Sequence, residues 1–317
     1  MNEPTLHESQ LEHYPLFRRG KVRESYDLGD SLLFIATDRI SAFDQIMPTA
    51  IPGKGEILNQ LSAFWFDKTV SIVENHYRSA GLESVPDLLP TEREQFAGRS
   101  MIVEKAERID IECVVRGHIA GSAWTEYLAH GAVAGIAQQP GLLESEKLPN
   151  PIFTPAIKND SGHDENISVA RLREMIGFKL ATLLERHSRE LYDFAYDYAS
   201  SRELIIADTK FEFGFAGGRL IVIDEMLTPD SSRFWDKATF APGASQASFD
   251  KQYLRDWLIS SGWDREPPAP QLPEHVVQGT LDRYIEAFER IMDRQFESAN
   301  GLQSMTIGQH AERVHAV

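Results

Sequence analysis

Polar and apolar residues alternate along residues 205–215, IIADTKFEFGF. Successive side chains of a β-strand point to opposite faces, so this pattern predicts a strand with Asp208, Lys210 and Glu212 on one face. The other face carries Ala207, Thr209, Phe211 and Phe213, which can pack on a core. One interpretation is a solvated edge strand, where charges discourage aggregation. The other is a face that binds a charged ligand.

The same patterns predict the remaining elements. Further strands are predicted at residues 16–28, 31–38, 100–109, 111–117 and 219–226. Helices are predicted at 55–73, 122–131, 168–201, where Ser168 can cap the first turn, and from about 280 to 297. Residues 149–168 are expected to form a long loop and residues 264–275 a proline-rich linker. Because strands and helices mix without regular alternation, we expect an α+β fold.

Composition narrows the class of protein. The chain has 317 residues and a net charge of -16, which argues against a general nucleic-acid surface but not against a phosphorylated small molecule. Cys113 is the only cysteine, so the sequence offers no intrachain disulfide and no thiolate-rich metal site. The acidic N-terminus is unlike a secretory signal, and no apolar run approaches the length of a membrane span. A soluble, cytoplasmic protein without a membrane partner is therefore expected.

A hairpin turn at Gly217 and Gly218 is expected to pair two strands that each carry a carboxylate, and the two carboxylates converge if the register pairs them. The turn brings Asp224 close to the position opposite Glu212, depending on register, and a slip of one residue would reverse its face. Mg²⁺ typically binds one or two carboxylates together with substrate phosphates. The alternative is an exposed ladder of salt bridges, which contributes little to stability.

Basic residues near glycines or helix starts indicate anion recognition. GKVRESYD lacks the Walker spacing, but Gly20 with Lys21 and Arg23 is able to fold over phosphates; an ordinary basic strand is the alternative. Arg116 precedes a helix that begins near Ser122, which is a natural anion site or simply a capped helix.

Three further segments carry polar groups. ATDRISAFD, with Arg39, Ser41 and Asp44, follows an apolar strand as a binding loop or an ordinary turn. KNDSGHDE offers Lys158, Asp160 and Asp164 for a metal or a polar substrate, although its single His163 argues against zinc. Arg233 offers a planar fork for a phosphate or a carboxylate.

Six stretches in this order resemble the SAICAR synthetase (phosphoribosylaminoimidazole-succinocarboxamide synthase) family: RGKVRESYD, ATDRISAFD, ECVVRGHIAGSAW, PAIKNDSGHDENIS, ADTKFEFG and DEMLTPDSSRFWD. The resemblance implies an ATP-dependent ligase that joins 5-amino-1-(5-phosphoribosyl)imidazole-4-carboxylate (CAIR) to L-aspartate, releasing ADP and phosphate. It also implies a kinase-like nucleotide-covering sheet in residues 1–110, an ATP-grasp-related domain in 111–265 and a C-terminal linker and helical segment in 266–317. The expected partners are ATP, CAIR and L-aspartate, in a monomer or small homo-oligomer.

The resemblance also implies roles for individual residues. For ATP they are Gly20, Lys21, Val22 and Arg23 on a phosphate-covering loop, and Glu104, Lys105 and Glu107 on an adenine-contacting connector. For the other substrates they are Ser41, Asp44, Arg116, Ser122, Lys158, Asp160, Asp164 and Arg233. Mg²⁺ would be held by Glu212 and Asp224. As catalytic residues, Lys210 would offset charge on the transferred group, and Asp208 would orient Lys210 or the incoming amine. A small-molecule kinase and a nucleotide-binding regulatory protein are the alternatives.

Overall fold

Strands and helices are mixed in the computed structural model, which describes residues 5–159 and 164–299. The strands are β1 (Leu16–Arg19), β2 (Arg23–Asp27), β3 (Ser31–Ala36), β4 (Ser41–Ala42), β5 (Gln45–Ile46), β6 (Tyr77–Ala80), β7 (Ser100–Glu104), β8 (Glu107–His118), β9 (Ala132–Val133), β10 (Ile136–Ala137), β11 (Lys147–Ile157), β12 (Glu165–Asn166), β13 (Leu204–Ala216), β14 (Arg219–Ile223) and β15 (Ser232–Asp236). The helices are α1 (Lys54–Thr69), α2 (Pro90–Gln95), α3 (Ser122–His130), α4 (Val169–Ile176), α5 (Phe178–Ser200), α6 (Gln252–Ser260) and α7 (Glu274–Met292). The predicted α+β class is confirmed.

Two antiparallel sheets organise these elements. The first has the strand order β1-β2-β3-β7-β6, and the second has the order β12-β11-β8-β13-β14. A backbone bridge between Asn75 and Val222 joins the segment before β6 to β14. No helix in the described ranges combines the length and apolar composition that a membrane crossing requires.

The long strand β13 changes its partner along one edge. Its first half pairs with β15 from Leu204 to Thr209, and its second half pairs with β14 from Glu212 to Ala216. Between the two pairings, the Lys210 amide donates to the Ser231 carbonyl at 3.0 Å. The connection from β14 to β15, residues 224–231, therefore leaves and re-enters the sheet beside the middle of β13.

Two clusters of buried apolar residues pack the sheets and helices together. One large cluster runs from α1, with Ile57, Leu61 and Trp65 each at 0% exposure, to β13 and α7. A second cluster covers the opposite face of the first sheet, and Leu6 and Leu11 of the N-terminal segment belong to it. The first sheet is thus covered on both faces. The division at residues 110 and 265 stays a prediction.

Several predicted boundaries are wrong. The strand predicted for residues 16–28 is a hairpin, because the chain bends between Arg19 and Arg23. The single helix predicted after Ser168 is two helices, separated at Gly177, whose φ of 84° is outside the helical region. The last helix begins six residues earlier than Thr280, and α6 was not predicted.

The predicted loop at residues 149–168 is half strand. Its first part belongs to β11, which pairs with β8 from Ile152 to Ile157. Pro155 is compatible with this strand because β11 meets β12 only at its last two residues, and a missing N–H costs little on an open edge. Apolar burial at Ile152 and Phe153 therefore prevails over the turn-forming composition.

Candidate active site

The charged face of β13, formed by Asp208, Lys210 and Glu212, lies on an inner strand of the second sheet. Both carboxylate residues are 5% exposed, and Phe211 and Phe213 on the other face are 0% exposed. The alternation predicted from the sequence is confirmed, whereas the interpretation as a solvated edge strand is wrong. Buried charges require partners, and β8, β15 and the segment after β11 supply them.

A cluster of two glutamates and two lysines surrounds the middle of this face. Glu212 lies directly opposite Glu112 of β8, an arrangement of like charges that is unfavourable without cations. Lys210 Nζ donates to Glu112 Oε1 at 2.9 Å, and Lys158 Nζ donates to Glu212. Burial opposes the charge on Lys210, but Glu112 and Glu212 outweigh it and raise the pKa of this lysine. Lys210 is therefore an ammonium group, oriented by Glu112 rather than by Asp208.

Asp224 stands just beyond the end of β14. The register pairs Ile223 with Glu212, so Asp224 is one residue past the predicted opposite position. Its φ of 68° turns the chain out of the strand. Arg23 then bridges two carboxylates, with Nη1 to Asp224 Oδ1 at 2.5 Å and Nη2 to Glu225 Oε2 at 2.9 Å.

The charges of Asp224 and Glu212 act on each other. Burial and the charge of Asp224 raise the pKa of Glu212 to about 7. Burial opposes the ionisation of Asp224, but Arg23, Lys158 and Lys210 outweigh it and lower its pKa to about 2. Two repelling carboxylates beside several cations suit Mg²⁺, which completes its coordination with substrate oxygens and water. Groups of three or more His, Cys, Asp or Glu that could hold a metal are absent from the described part of the chain.

The Gly20 loop, residues 20–23, lies at the bend between β1 and β2. The Gly20 amide donates to the Arg23 carbonyl at 2.8 Å, which closes a tight turn. A Cβ on residue 20 would lie 3.0 Å from that oxygen, so the close approach favours glycine. Lys21 Nζ lies 2.7 Å from Asp44 Oδ1. The structure thus brings together the loop, the adjacent turn and the carboxylates that Arg23 contacts.

A second cluster centres on Asp208 and two arginines. Arg116 Nη1 lies 3.2 Å from Asp208 Oδ2, and Arg233 Nη1 contacts the same oxygen. Arg116 Nη2 also donates to Ser122 Oγ, at 3.3 Å, at the start of α3. A Cβ on Gly121 would lie 2.2 Å from Arg233 Nη2, so glycine is needed for this approach. Two guanidinium groups and a helix N-terminus converge, as an anion site requires.

The remaining predicted residues are distributed around these two clusters. Ser41 begins β4, and Asp164 lies beside Glu112, whose pKa is lowered by Lys210, Lys158 and Asp164 against the effect of burial. The connector lies between the sheets: Glu104 ends β7, Lys105 pairs with Asp27 at 2.7 Å, and Glu107 begins β8. Asp160 and His163 lie outside the described residues.

A cavity opens beside the arginine cluster. Its volume is about 620 Å³, and it is lined by Ser122, Thr125 and Glu126 of α3 and by Asn166 and Ser168 from the segment after β12. Its size suits a small molecule. Ser122 joins this cavity to Arg116.

Sequence reasoning missed several charged residues of this region. Glu112 holds Lys210 and lies between Ile111 and Cys113, a pattern that indicates a buried carboxylate with a partner. Glu225 holds Arg23 and follows Asp224 directly. Asp230 binds two lysines, Lys54 and Lys251, each at 2.9 Å. No local pattern predicts that second set, because its members lie far apart in the sequence.

His118, two positions beyond Arg116, is buried among aromatic rings. It is 1% exposed and contacts Tyr196, Trp235 and Phe240. Burial, followed by the charge of Lys147, lowers the pKa of His118 to about 4. The unfolded chain therefore binds this proton more tightly than the folded one. The corresponding stability is present above about pH 6.5 and is lost as the pH falls toward 4.

His118→Phe should reduce the acid sensitivity of the fold, because phenylalanine fits the aromatic surroundings and does not titrate. We expect the free energy of unfolding, measured in urea between pH 4.5 and 6.5, to depend less steeply on pH than in the wild-type chain. The slope should be smaller by up to about 1.4 kcal/mol per pH unit. The exposed residue His13, changed to Phe, is the matched control. An unaltered slope in His118→Phe would contradict the assignment.

The known proteins that this chain resembles belong to one family. A family model described as SAICAR synthetase matches residues 16–270. A phosphoribosylaminoimidazole-succinocarboxamide synthase of Thermodesulfovibrio yellowstonii is 50% identical over 281 residues, which cover 89% of this chain and 96% of the relative. One from Desulfosudis oleivorans is 51% identical over 278 residues, which cover 87% and 95%.

This chain is also similar to solved structures of SAICAR synthetases. The SAICAR synthase from Saccharomyces cerevisiae complexed with SAICAR has a TM-score of 0.82 and 41% identity, covering 93% of this chain and 100% of that one. A SAICAR synthetase (type 2) in complex with ADP has a TM-score of 0.67 and 25% identity, covering 90% and 100%. With a family model over most of its length and relatives of about 50% identity, the chain belongs to the SAICAR synthetase family.

Proposed function

We propose a residue-by-residue account of how this chain performs the reaction of its family. The chain is an ATP-dependent ligase that condenses CAIR with L-aspartate to give SAICAR, ADP and phosphate in purine biosynthesis. The observation that carries the account is the meeting of Lys210, Lys158 and Arg23 with the carboxylates Glu212 and Asp224 where β13 changes partners.

The reaction needs charge control more than a protein nucleophile. The CAIR carboxylate is a poor acyl donor because oxide is a poor leaving group. Transfer of the ATP γ-phosphoryl group to a carboxylate oxygen gives an acyl phosphate, and the aspartate amine then forms the amide as the C–O bond to phosphate breaks. Phosphoryl transfer depends mainly on positioning and neutralisation. Cys113 takes no part, since burial raises the pKa of its thiol.

The nucleotide end of the site would be formed by the Gly20 loop and the β13 carboxylates. Lys21 and Arg23 neutralise phosphate charge, while the connector at Glu104, Lys105 and Glu107 faces the adenine. Glu212 and Asp224 would hold Mg²⁺, which supplies neutralisation of the triphosphate when bound. Lys210, which donates to Glu112 and is kept charged by it, would offset the charge that develops on the transferred group.

The other two substrates would occupy the arginine cluster and the adjoining cavity. Arg116, Arg233 and Ser122 hold an anionic group of the imidazole nucleotide. Lys158, Asp160, Asp164, Ser41 and Asp44 would complete the CAIR and aspartate sites. The support for this arrangement is the cavity of about 620 Å³ that begins at Ser122.

The dependence of ADP release on L-aspartate tests this function. With ATP, Mg²⁺ and CAIR, we expect continuous ADP release only when L-aspartate is present, with one amide formed per ADP. A stable phosphorylated product formed in stoichiometric amounts without aspartate would favour a small-molecule kinase. Tight ATP binding without turnover would favour a regulatory protein. The monomeric or oligomeric state and the cytoplasmic location stay predictions.

A further inference from the structure

Arg39 lies behind the Gly20 loop. Its side chain is 9% exposed, and its guanidinium holds two consecutive carbonyls of the loop. Nη2 donates to the Gly20 carbonyl at 2.9 Å, and Nε donates to the Lys21 carbonyl at 2.9 Å. The third nitrogen, Nη1, lies 2.9 Å from Glu24 Oε1 and also contacts the His7 carbonyl. All three nitrogens of the fork are therefore engaged.

Thr37 holds the next carbonyl of the same loop. Its amide donates to the Val22 carbonyl at 3.0 Å, and its hydroxyl donates to the same oxygen at 2.8 Å. Three successive carbonyls, of residues 20, 21 and 22, are thus fixed by one short segment. A strand directs successive carbonyls to alternate sides, so this arrangement is a specific bend of the loop.

The direction of the carbonyls sets the direction of the amides. A trans peptide group points its N–H away from its C=O, and the cis bond found in the described chain lies elsewhere. The N–H groups of Lys21 and Val22 therefore point away from Arg39, and the N–H of Arg23 points away from Thr37 along the sheet.

Strand alternation identifies the two sides of the loop. Glu24, which contacts Arg39, lies on the same side of β2 as Tyr26, which belongs to the apolar cluster beneath the N-terminal segment. Arg23 points to the other side and reaches Asp224 and Glu225. The amides of Lys21 and Val22, which lie opposite Arg39, thus face the side on which the β13 carboxylates lie.

We propose that Arg39 is a positioning residue that aims the backbone amides of the Gly20 loop at the phosphates of the nucleotide. This inference rests on the proposed nucleotide site and adds to it a residue that touches no substrate. The planar fork explains the residue type: three nitrogens fixed in one plane hold three carbonyls and one carboxylate, more acceptors than the three donors of an ammonium group can meet.

Arg39→Lys is the main test, because it keeps a cation beside Glu24 and loses the fork. Thr37→Val is a milder second variant, since it removes one hydroxyl and keeps the amide. Arg93→Lys is the matched control: the Arg93 guanidinium also holds two backbone carbonyls, of Leu82 and Val85 at 2.6 and 2.7 Å, in a different loop.

Calorimetric binding of ADP and of adenosine to the three variants separates positioning from general damage. We expect Arg39→Lys to weaken ADP binding at least about fivefold, with adenosine affinity unchanged. Thr37→Val should weaken ADP binding in the same direction, by less. Arg93→Lys should leave both affinities unchanged, even where its thermal midpoint falls as far as that of Arg39→Lys.

The contrary results are distinct. Wild-type ADP affinity in Thr37→Val and in folded Arg39→Lys would overturn the role of Arg39. Equal losses for ADP and adenosine would also overturn it, because they would indicate a merely structural role. Failure of the wild-type chain to bind ADP more tightly than adenosine would instead refute the proposed nucleotide site itself.

Discussion

Glu212→Gln and Asp224→Asn should each lower the turnover number of ligation by on the order of a hundredfold or more. Each substitution replaces a charged carboxylate with a neutral amide and leaves the shape of the side chain nearly unchanged. Burial, and then the charge of Asp224, raise the pKa of Glu212, and a divalent cation held between the two carboxylates should relieve their repulsion. Loss of either charge should raise the Mg²⁺ concentration needed for half-maximal rate.

Initial rates measured against Mg²⁺ at saturating ATP check this expectation. Glu92→Gln is the matched control, because Glu92 is also a buried carboxylate, and it accepts backbone hydrogen bonds from Glu12 and Leu89 at 2.9 Å, outside the site. The control should show the wild-type Mg²⁺ dependence. An unchanged Mg²⁺ dependence in both Glu212→Gln and Asp224→Asn would remove the metal assignment.

Asp208→Asn should reduce the free energy of unfolding by about 3–5 kcal/mol, because it leaves two guanidinium groups facing each other without their carboxylate. Arg116 and Arg233 share a single oxygen of Asp208, and the Arg116 and Asp208 side chains are 8% and 7% exposed. An anion bound by the two arginines should restore part of the loss. We therefore expect CAIR to raise the thermal midpoint of the variant more than that of the wild-type chain.

Urea unfolding measures the loss of free energy, and thermal unfolding with and without CAIR measures the change in the midpoint. Asp236→Asn is the control on the same strand as Arg233: Asp236 pairs with Arg290 at 3.3 Å nearer the surface, and its loss should cost less than about 1 kcal/mol. A loss below about 1 kcal/mol in Asp208→Asn would show that the arginine cluster does not depend on this carboxylate. If CAIR raised the thermal midpoint of Asp208→Asn and of the wild-type chain equally, the arginine cluster would take no part in substrate binding.

Elements with a strong local period were predicted well. The helix beginning near residue 55 and the strand carrying Asp208 and Glu212 follow directly from the spacing of their apolar residues, because that spacing determines which side chains can be buried together. Local rules failed at residues 149–157, where three prolines indicated a loop. Burial of Phe153 against β8 decided otherwise, and β8 lies far away in the sequence.

The sequence alone determined which residue types could form the site: a strand with three charges on one face, a glycine before two basic residues, and arginines beside a helix start. Only the tertiary structure decided their partners. Asp224 lies 201 positions from Arg23, and Lys158 lies 54 positions from Glu212. A charge is buried at low cost only where an opposite charge or hydrogen-bond donors meet it. No period along the chain encodes the register of β14, the left-handed turn at Asp224 or the fork of Arg39 behind the Gly20 loop. Those contacts form when the sheets pack, which is why residue types were predictable and pairings were not.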